Sequence, residues 1–498
     1  VLPISRITKR DSSFVVIRSV FVTYLFQHSV NMPPKKRTGD SDVDAQVKRK
    51  KKANGTKNGG TESLLPLEDD SSLEVIHRGS EVAGTLLFCG GTNWDMIGRH
   101  SQPKGMKNKG GRNLWGPHAV AALSGVRIRT VASGCTACHS VVISTEGKAY
   151  SWGRNEKGQL GHGDTERKDK PTLMESLQEL DIVDAACGKN HTLLLDNKGR
   201  VYAVGDNKMG QLGLGSQSQC VPSPTRIQYT GPPIKKLAAG GEFSMIADVR
   251  GNLYSFGCPE YGQLGHNSDG KYFVTSNKLT FNCETKPRKV QVFIEKSREG
   301  HITPVTDVEI LDIACGYNHT IALDHKKRVF TWGWGGYGRL GHSEQKDEWV
   351  PRLLKMFEGP NRGAIMVQCG SASTMAVNEL GALFHWGQTK PTGEANMYPK
   401  LVQDLSGWHI RSIGCCNKSN VIVADETVIS WGPSPTYGEL GYGEFKAKSS
   451  TTPQEMKTLN GVYVHKVCCG YGHTLLIARD DSDEDKERIK KLPVYTCT

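Results

Sequence analysis

Nowhere in the 498 residues is there a run of about 20 consecutive apolar residues, the length that spans a bilayer as a helix. The nearest approach, "FVVIRSVFVTYLF" at 14–26, is interrupted by Arg18 and lacks a small-residue cleavage site. Neither a membrane span nor a secretory leader is expected from it. Cysteine is sparse too: 14 residues at irregular intervals, no basis for a disulfide framework. Free thiols in a reducing compartment are expected, most of them acting as small buried hydrophobes. The familiar catalytic signatures are missing: no Walker A phosphate loop, no G-x-S-x-G elbow, no H-E-x-x-H and no kinase motif set. The pairs Cys415–Cys416 and Cys468–Cys469 have no companions at zinc spacing. No covalent-chemistry site, metal or cofactor is therefore expected. A convincing helical stripe is absent as well, which excludes an α/β reading.

What is present is charge and repetition. The formal net charge is +12, unevenly spread: residues 1–65 hold 13 Lys or Arg against 5 Asp or Glu. Residues 1–31 precede the first methionine, Met32, and are expected to lie upstream of the working protein. Residues 32–80 have the composition of a disordered basic tail. Within it, Lys35, Lys36 and Arg37 stand ten residues before the run Lys48, Arg49, Lys50, Lys51 and Lys52. Two basic clusters so spaced match a bipartite nuclear-import signal, gripped by the acidic groove of an import receptor. The same charge can also hold nucleic-acid phosphates.

From residue 81 to 480 one phrase recurs, as in "YSWGRNEKGQLGHG" at 150, "YAVGDNKMGQLGLG" at 202 and "FTWGWGGYGRLGHS" at 330. Marking each copy by the glycine after its aromatic pair gives Gly90, Gly153, Gly205, Gly257, Gly333, Gly387 and Gly432. A period near 50 residues means a propeller or an array. Within a copy, "HTLLLD" and "RVYAVG" read as strands joined by a tight turn, and two further short segments complete a four-stranded sheet. The first copy lacks its leading strands and the last lacks its "WG" strand. The sequence thus predicts an all-β, seven-bladed propeller whose ring is closed by a blade mixing both termini.

Repetition also assigns roles. Trp152, Phe256, Trp332, Trp386 and Trp431 precede the marker glycines and are expected to pack between blades; His191 and His319, in repeated "NHT" phrases, are expected to be structural hydrogen-bonders. The string Cys135-x-x-Cys138-His139 has the form of a haem attachment motif, but it falls where each repeat begins a strand, so it is read as a coincidence. Residues 267–305 form the longest insertion, mixing aromatics with basic groups, among them Tyr272, Lys286, Arg288 and Lys289. Such a mixture suits an acidic partner, with the basic groups steering and the aromatics anchoring. Residues 481–498 are a charged tail, read as solvated.

The grammar "CG-x-x-H-T", apolar strand, "WG-x-N-x-x-G-Q-L-G" resembles the regulator of chromosome condensation family over residues 86–479. "TNWDMIGR" (92–99), "NLWGPH" (113–118) and "SWGPSPTYGELGYG" (430–443) carry a closer likeness to one branch of it. The resemblance implies binding of small GTPases. The family's founder is a chromatin-bound exchange factor for Ran, and this chain departs from its working face. Lys189 stands where the founder is acidic, Ala372 and Ser373 stand where it has a histidine-bearing repeat, and residues 204–213 keep the plain repeat length where it carries a wedge. Glu242 and His473 are retained. The branch implies Rac- and Ral-type GTPases as partners, with centromeric and mitotic protein complexes and microtubules. It implies residence in nucleus and nucleolus, and at centromeres, spindle and midbody in mitosis. Two classes of function follow from the resemblance: a non-enzymatic scaffold that binds and regulates GTPases, or a guanine-nucleotide exchange factor, Ral-type before Ran-type.

Overall fold

The repeat unit is easiest to follow at residues 182–226, where the strands Ile182–Cys187, His191–Asp196, Val201–Asn207 and Ser218–Arg226 pair antiparallel in chain order. The second strand is buried along its whole length, which is why "HTLLLD" carries no polar alternation. The turn that follows is set by Asp196, whose carboxylate accepts from the backbone N–H groups of Lys198 and Arg200. Asp248, Asp324 and Asn378 cap the corresponding turns in the same way.

In this computed structural model the described residues are 77–496, excepting 102, 104–109, 391, 417 and 434. Six blades follow the unit in order, beginning with the strands Ile128–Ala132, Ile182–Cys187, Ile234–Ala239, Ile310–Cys315, Ala364–Cys369 and Ile410–Cys415. The seventh joins the C-terminal strands Val464–Gly470 and His473–Ala478 to the N-terminal strands Thr85–Gly91 and Asn113–Val120. Thr85 pairs with Ala478 and Gly90 with His473, so the ring is closed by backbone hydrogen bonds between segments nearly 400 residues apart. No sheet edge remains open between the first and last blades. Among the described residues no helix is long and apolar enough to cross a membrane.

The segment after residue 480 is not a merely solvated tail. Ser482 caps the helix Asp483–Lys490 in a capping box with Asp485, which also accepts two hydrogen bonds from Arg479. Ile489 packs into the core beside Leu459 and Val464, and the short strand Val494–Tyr495 extends the mixed blade in parallel with Asn113–Val120. The buried Tyr495 ring stacks on Phe88. High charge concealed these two apolar anchors.

Each aromatic of the "WG" phrase packs against the blade before its own. Trp152 sits with Leu86 and Phe88, Phe256 with Leu193 and Leu195, Trp332 with Met245 and Phe243, Trp386 with Ile321 and Leu323, and Trp431 with Met375 and Val377. Trp332 also donates its indole N–H to the Gln263 carbonyl. The glycine that follows is required by contact as well as by conformation. Gly333 has φ +100°, and a Cβ there would lie 2.5 Å from the Asn318 carbonyl oxygen.

Histidines clasp four of the seven joints. His139 Nε2 bonds Thr192, His191 bonds Ser244, His319 bonds Thr374 and His473 bonds Ser140, at 2.7–3.0 Å in each case. Thr192, Ser244 and Thr374 donate onward to the carbonyls of Gln159, Gln211 and Arg339 in the blade that supplies the histidine. Because those hydroxyls are committed as donors, their imidazoles must donate from Nε2. Phe243 and Ser373 take the histidine's place in the third and fifth blades, pairing at Gly257 and Gly387. Beside Ser373, a cleft of about 240 Å³ opens between the fifth and sixth blades.

Candidate partner-binding face

All turns between first and second strands, and all loops between third and fourth, emerge on one side of the ring. Around the axis on that side stand Lys189, Glu242, Tyr317 and Tyr471, each from a turn after a first strand. Lys189 donates to the Tyr317 hydroxyl at 2.9 Å and lies over its ring. Burial draws the Lys189 ammonium toward neutrality. The Tyr317 hydroxyl and the carboxylates of Glu242 and Asp206 outweigh it, and the pKa stands above the ordinary value. The Lys189 cation is thus fixed by the Tyr317 hydroxyl and favoured by the charge of two carboxylates.

The insertion 267–305 is not one protrusion. The strand Glu284–Lys289, the fourth of the third blade, divides it. Before that strand, Lys271–Thr275 and Lys278–Phe281 form a hairpin. After it, Ile294–Lys296 and Ile302–Pro304 form a second hairpin on the outer edge of the fourth blade, where Ile294 pairs with Arg352. Counting residues between marker glycines cannot reveal a strand placed inside the excess.

This division separates the candidate residues. Tyr272 belongs to the first hairpin, half exposed. Lys286, Arg288 and Lys289 are exposed on the outer strand of the third blade, with Arg288 paired to Glu284 at 2.5 Å. His473, retained in the sequence, is fully buried against Phe88 and Trp94 and bonded to Ser140. It is therefore part of a blade joint and offers nothing to a partner. Trp152, Phe256, Trp332, Trp386 and Trp431 are all at most 6% exposed, and His191 and His319 are wholly buried. The basic clusters at 35–37 and 48–52 lie outside the described residues. His139 and Cys138 are buried too, with Cys138 donating to the Ile97 carbonyl. The Cys-x-x-Cys-His string is strand and turn.

The first hairpin is unusual in what it exposes. Tyr272, Phe273, Val274 and Leu279 are 50%, 70%, 55% and 44% accessible, and Phe273 faces Leu279 across the ribbon. An isolated two-stranded ribbon is marginal in water, and contiguous exposed apolar groups mark interaction sites. Its base is firm. Asn282 donates to the Gly270 carbonyl, and Lys271 lies over the Tyr261 ring. Tyr261 packs on Trp334 at 5.3 Å, and the Arg339 guanidinium stacks on the other ring system at 3.9 Å from the Trp334 centroid. Tyr261, Trp334 and Arg339 escaped sequence reasoning. The available signal was their departure from the repeat, above all Arg339 in "GRLG" where three other copies read "GQLG".

Among the described residues no group of three His, Cys, Asp or Glu side chains is placed to hold a metal.

Comparison with known proteins places the chain among others of this architecture. A family model described as an RCC1-like domain matches residues 85–476. The human protein RCC2 is 57% identical over 446 residues, covering 89% of this chain and 85% of that protein. A structure of Saccharomyces cerevisiae Prp20p, described with its binding properties to Gsp1p and histones, aligns with TM-score 0.63 at 20% identity, covering 82% of this chain and 94% of that one. A structure of Kap60 bound to yeast RCC1 (Prp20) aligns with TM-score 0.64 at 20% identity, covering 90% and 98%.

Proposed function

Since the chain belongs to the RCC1-like domain family across its whole propeller, we propose that it is a non-enzymatic scaffold that binds and regulates small GTPases. The observation that carries this reading is the Lys271–Phe281 hairpin, an apolar and basic ribbon on the same loop side of the ring as Lys189 and Glu242. The GTPases are of Rac and Ral type. A Ran-type partner is disfavoured because Lys189 reverses a charge on that face, and one misplaced charge in a buried contact costs about 2–5 kcal/mol.

The scaffold serves centromeric and mitotic complexes, spindle microtubules and the midbody, and resides in nucleus and nucleolus in interphase. Support for import comes from the two basic clusters and from the Kap60 complex of the yeast relative. The same clusters are available to nucleic-acid phosphates.

The alternative is exchange activity, favoured by one observation: the hairpin projects from the loop side of the ring, and exchange needs a protrusion that can enter a nucleotide pocket. Equilibrium binding of the full chain to immobilised Rac-, Ral- and Ran-type GTPases, each loaded with GDP or a non-hydrolysable GTP analogue, tests the reading. Saturable binding to Rac or Ral type is expected, at least tenfold tighter than to Ran. Equal affinity for all three, or none, contradicts it.

A further inference from the structure

The base of the hairpin holds two cysteines. Gly257 and Glu284 form the last pairing of the third and fourth strands in their blade. Cys258 follows the first and Cys283 precedes the second, so the two occupy the next opposed positions. Opposed residues of antiparallel strands have Cα atoms about 4.5–5.5 Å apart, inside the span a disulfide accepts. The thiols are close enough to set each other's ionisation, and Cys283 Sγ also donates to the Phe281 carbonyl at 3.7 Å.

The two differ in access. Cys258 is 2% exposed, whereas Cys283 is partly open to solvent. Met209 covers one side of Cys283, its sulfur at 3.8 Å. The neighbouring Cys258 thiol, opposed by partial burial, holds the Cys283 thiol below its usual pKa, and Cys283 in turn raises that of Cys258. By contrast burial raises Cys187, Cys315 and Cys369 above theirs, and these are inert.

We propose that Cys258 and Cys283 form a reversible disulfide under peroxide, fixing the hairpin's departure from the propeller and so altering partner docking. The Cys283 thiolate attacks one oxygen of hydrogen peroxide, the O–O bond breaks, and the hydroxide released is protonated to water. Cys283 is then a sulfenic acid. The Cys258 sulfur attacks Cys283 Sγ, the S–O bond breaks, and the thiol proton leaves with the hydroxyl as a second water. Two thiols have lost two electrons to one peroxide, and a dithiol reductant restores them. The cross-link closes residues 259–282, the segment that carries the hairpin.

The effect on docking rests on the hairpin being the docking element; the cross-link does not. The full chain is reduced, exposed to stoichiometric hydrogen peroxide, alkylated and digested for mass spectrometry. A linked Cys258–Cys283 peptide that dithiothreitol dissolves is expected. Cys258→Ser should leave a Cys283 sulfenic acid that dimedone traps, and Cys283→Ser should abolish both signals without moving the melting midpoint. Absence of the linked peptide overturns the proposal. Binding of the GTPase should change at least fivefold between the reduced and cross-linked forms. A cross-link with unchanged affinity overturns the regulatory step when hairpin substitutions do weaken binding. When those substitutions have no effect, it is the docking reading that fails, and the dithiol pair stands.

Discussion

Acidification from pH 7 to pH 5 is expected to lower the melting midpoint of the propeller by at least about 10 °C, before its ion-paired carboxylates titrate. The chief cause is the set of histidine clasps. Burial pushes His139 and His473 down to about 3 and His191 to about 4, and holds His319 well below its ordinary value. In the unfolded chain the same imidazoles take up protons near pH 6.5. A depressed folded pKa means stability that is complete above about 6.5 and drains away as the pH falls toward the folded values. Each group loses about 1.4 kcal/mol per pH unit, or about 2 kcal/mol by pH 5. The four clasps give about 8 kcal/mol, and at about 2.1 cal/mol/K per residue a domain of this size shifts by about 10 °C; burial also holds His266, His342 and His385 down to about 4, 3 and 4, and they add to the fall. Calorimetry at the two pH values checks this. His191→Phe, which installs the residue that the third blade carries as Phe243, should remove about one seventh of the pH slope, the share of one imidazole among seven held strongly down. A midpoint that does not move with pH would show that the clasps are not neutral and buried.

The second large effect concerns the hairpin. The triple substitution Tyr272→Ser, Phe273→Ser and Val274→Ser should weaken GTPase binding by about 100-fold, because exposed aromatic anchors concentrate interface energy. Stability should be unchanged, since all three side chains are at least half exposed and take no part in the propeller's apolar clusters. Replacing residues 271–281 with a short glycine–serine loop should do the same, because Gly270 and Asn282 are already joined by a backbone hydrogen bond. Titration calorimetry reads the affinity and a melting scan the fold. Retained affinity in both variants would move the docking site elsewhere on the ring.

The architecture was largely legible because it is repeated. Seven copies of one phrase average out local ambiguity, and incomplete first and last copies dictate the mixed blade. Single copies were harder to read. His473 seemed available because position in a repeat says nothing about side-chain direction, and its neighbours Phe88 and Trp94 come from the other end of the chain. The insertion hid a strand, since the basic "ETKPRK" of Glu284–Lys289, like "KDKPTL" and "STTPQE" in the same place in other blades, lacks apolar alternation. The C-terminal helix was read as solvated because its anchors, Ile489 and Tyr495, are two apolar residues among many charges. The dithiol at Cys258 and Cys283 needs the register of two strands before it exists as a pair at all.

The most direct test of the scaffold reading is nucleotide release from Rac- and Ral-type GTPases loaded with a fluorescent GDP, with the full chain added at one-twentieth of their concentration. Saturable binding with no release beyond the small fraction of GTPase occupied is the result expected of a scaffold. Release of many equivalents per molecule of the propeller, lost on substituting the hairpin, would contradict it and establish an exchange factor.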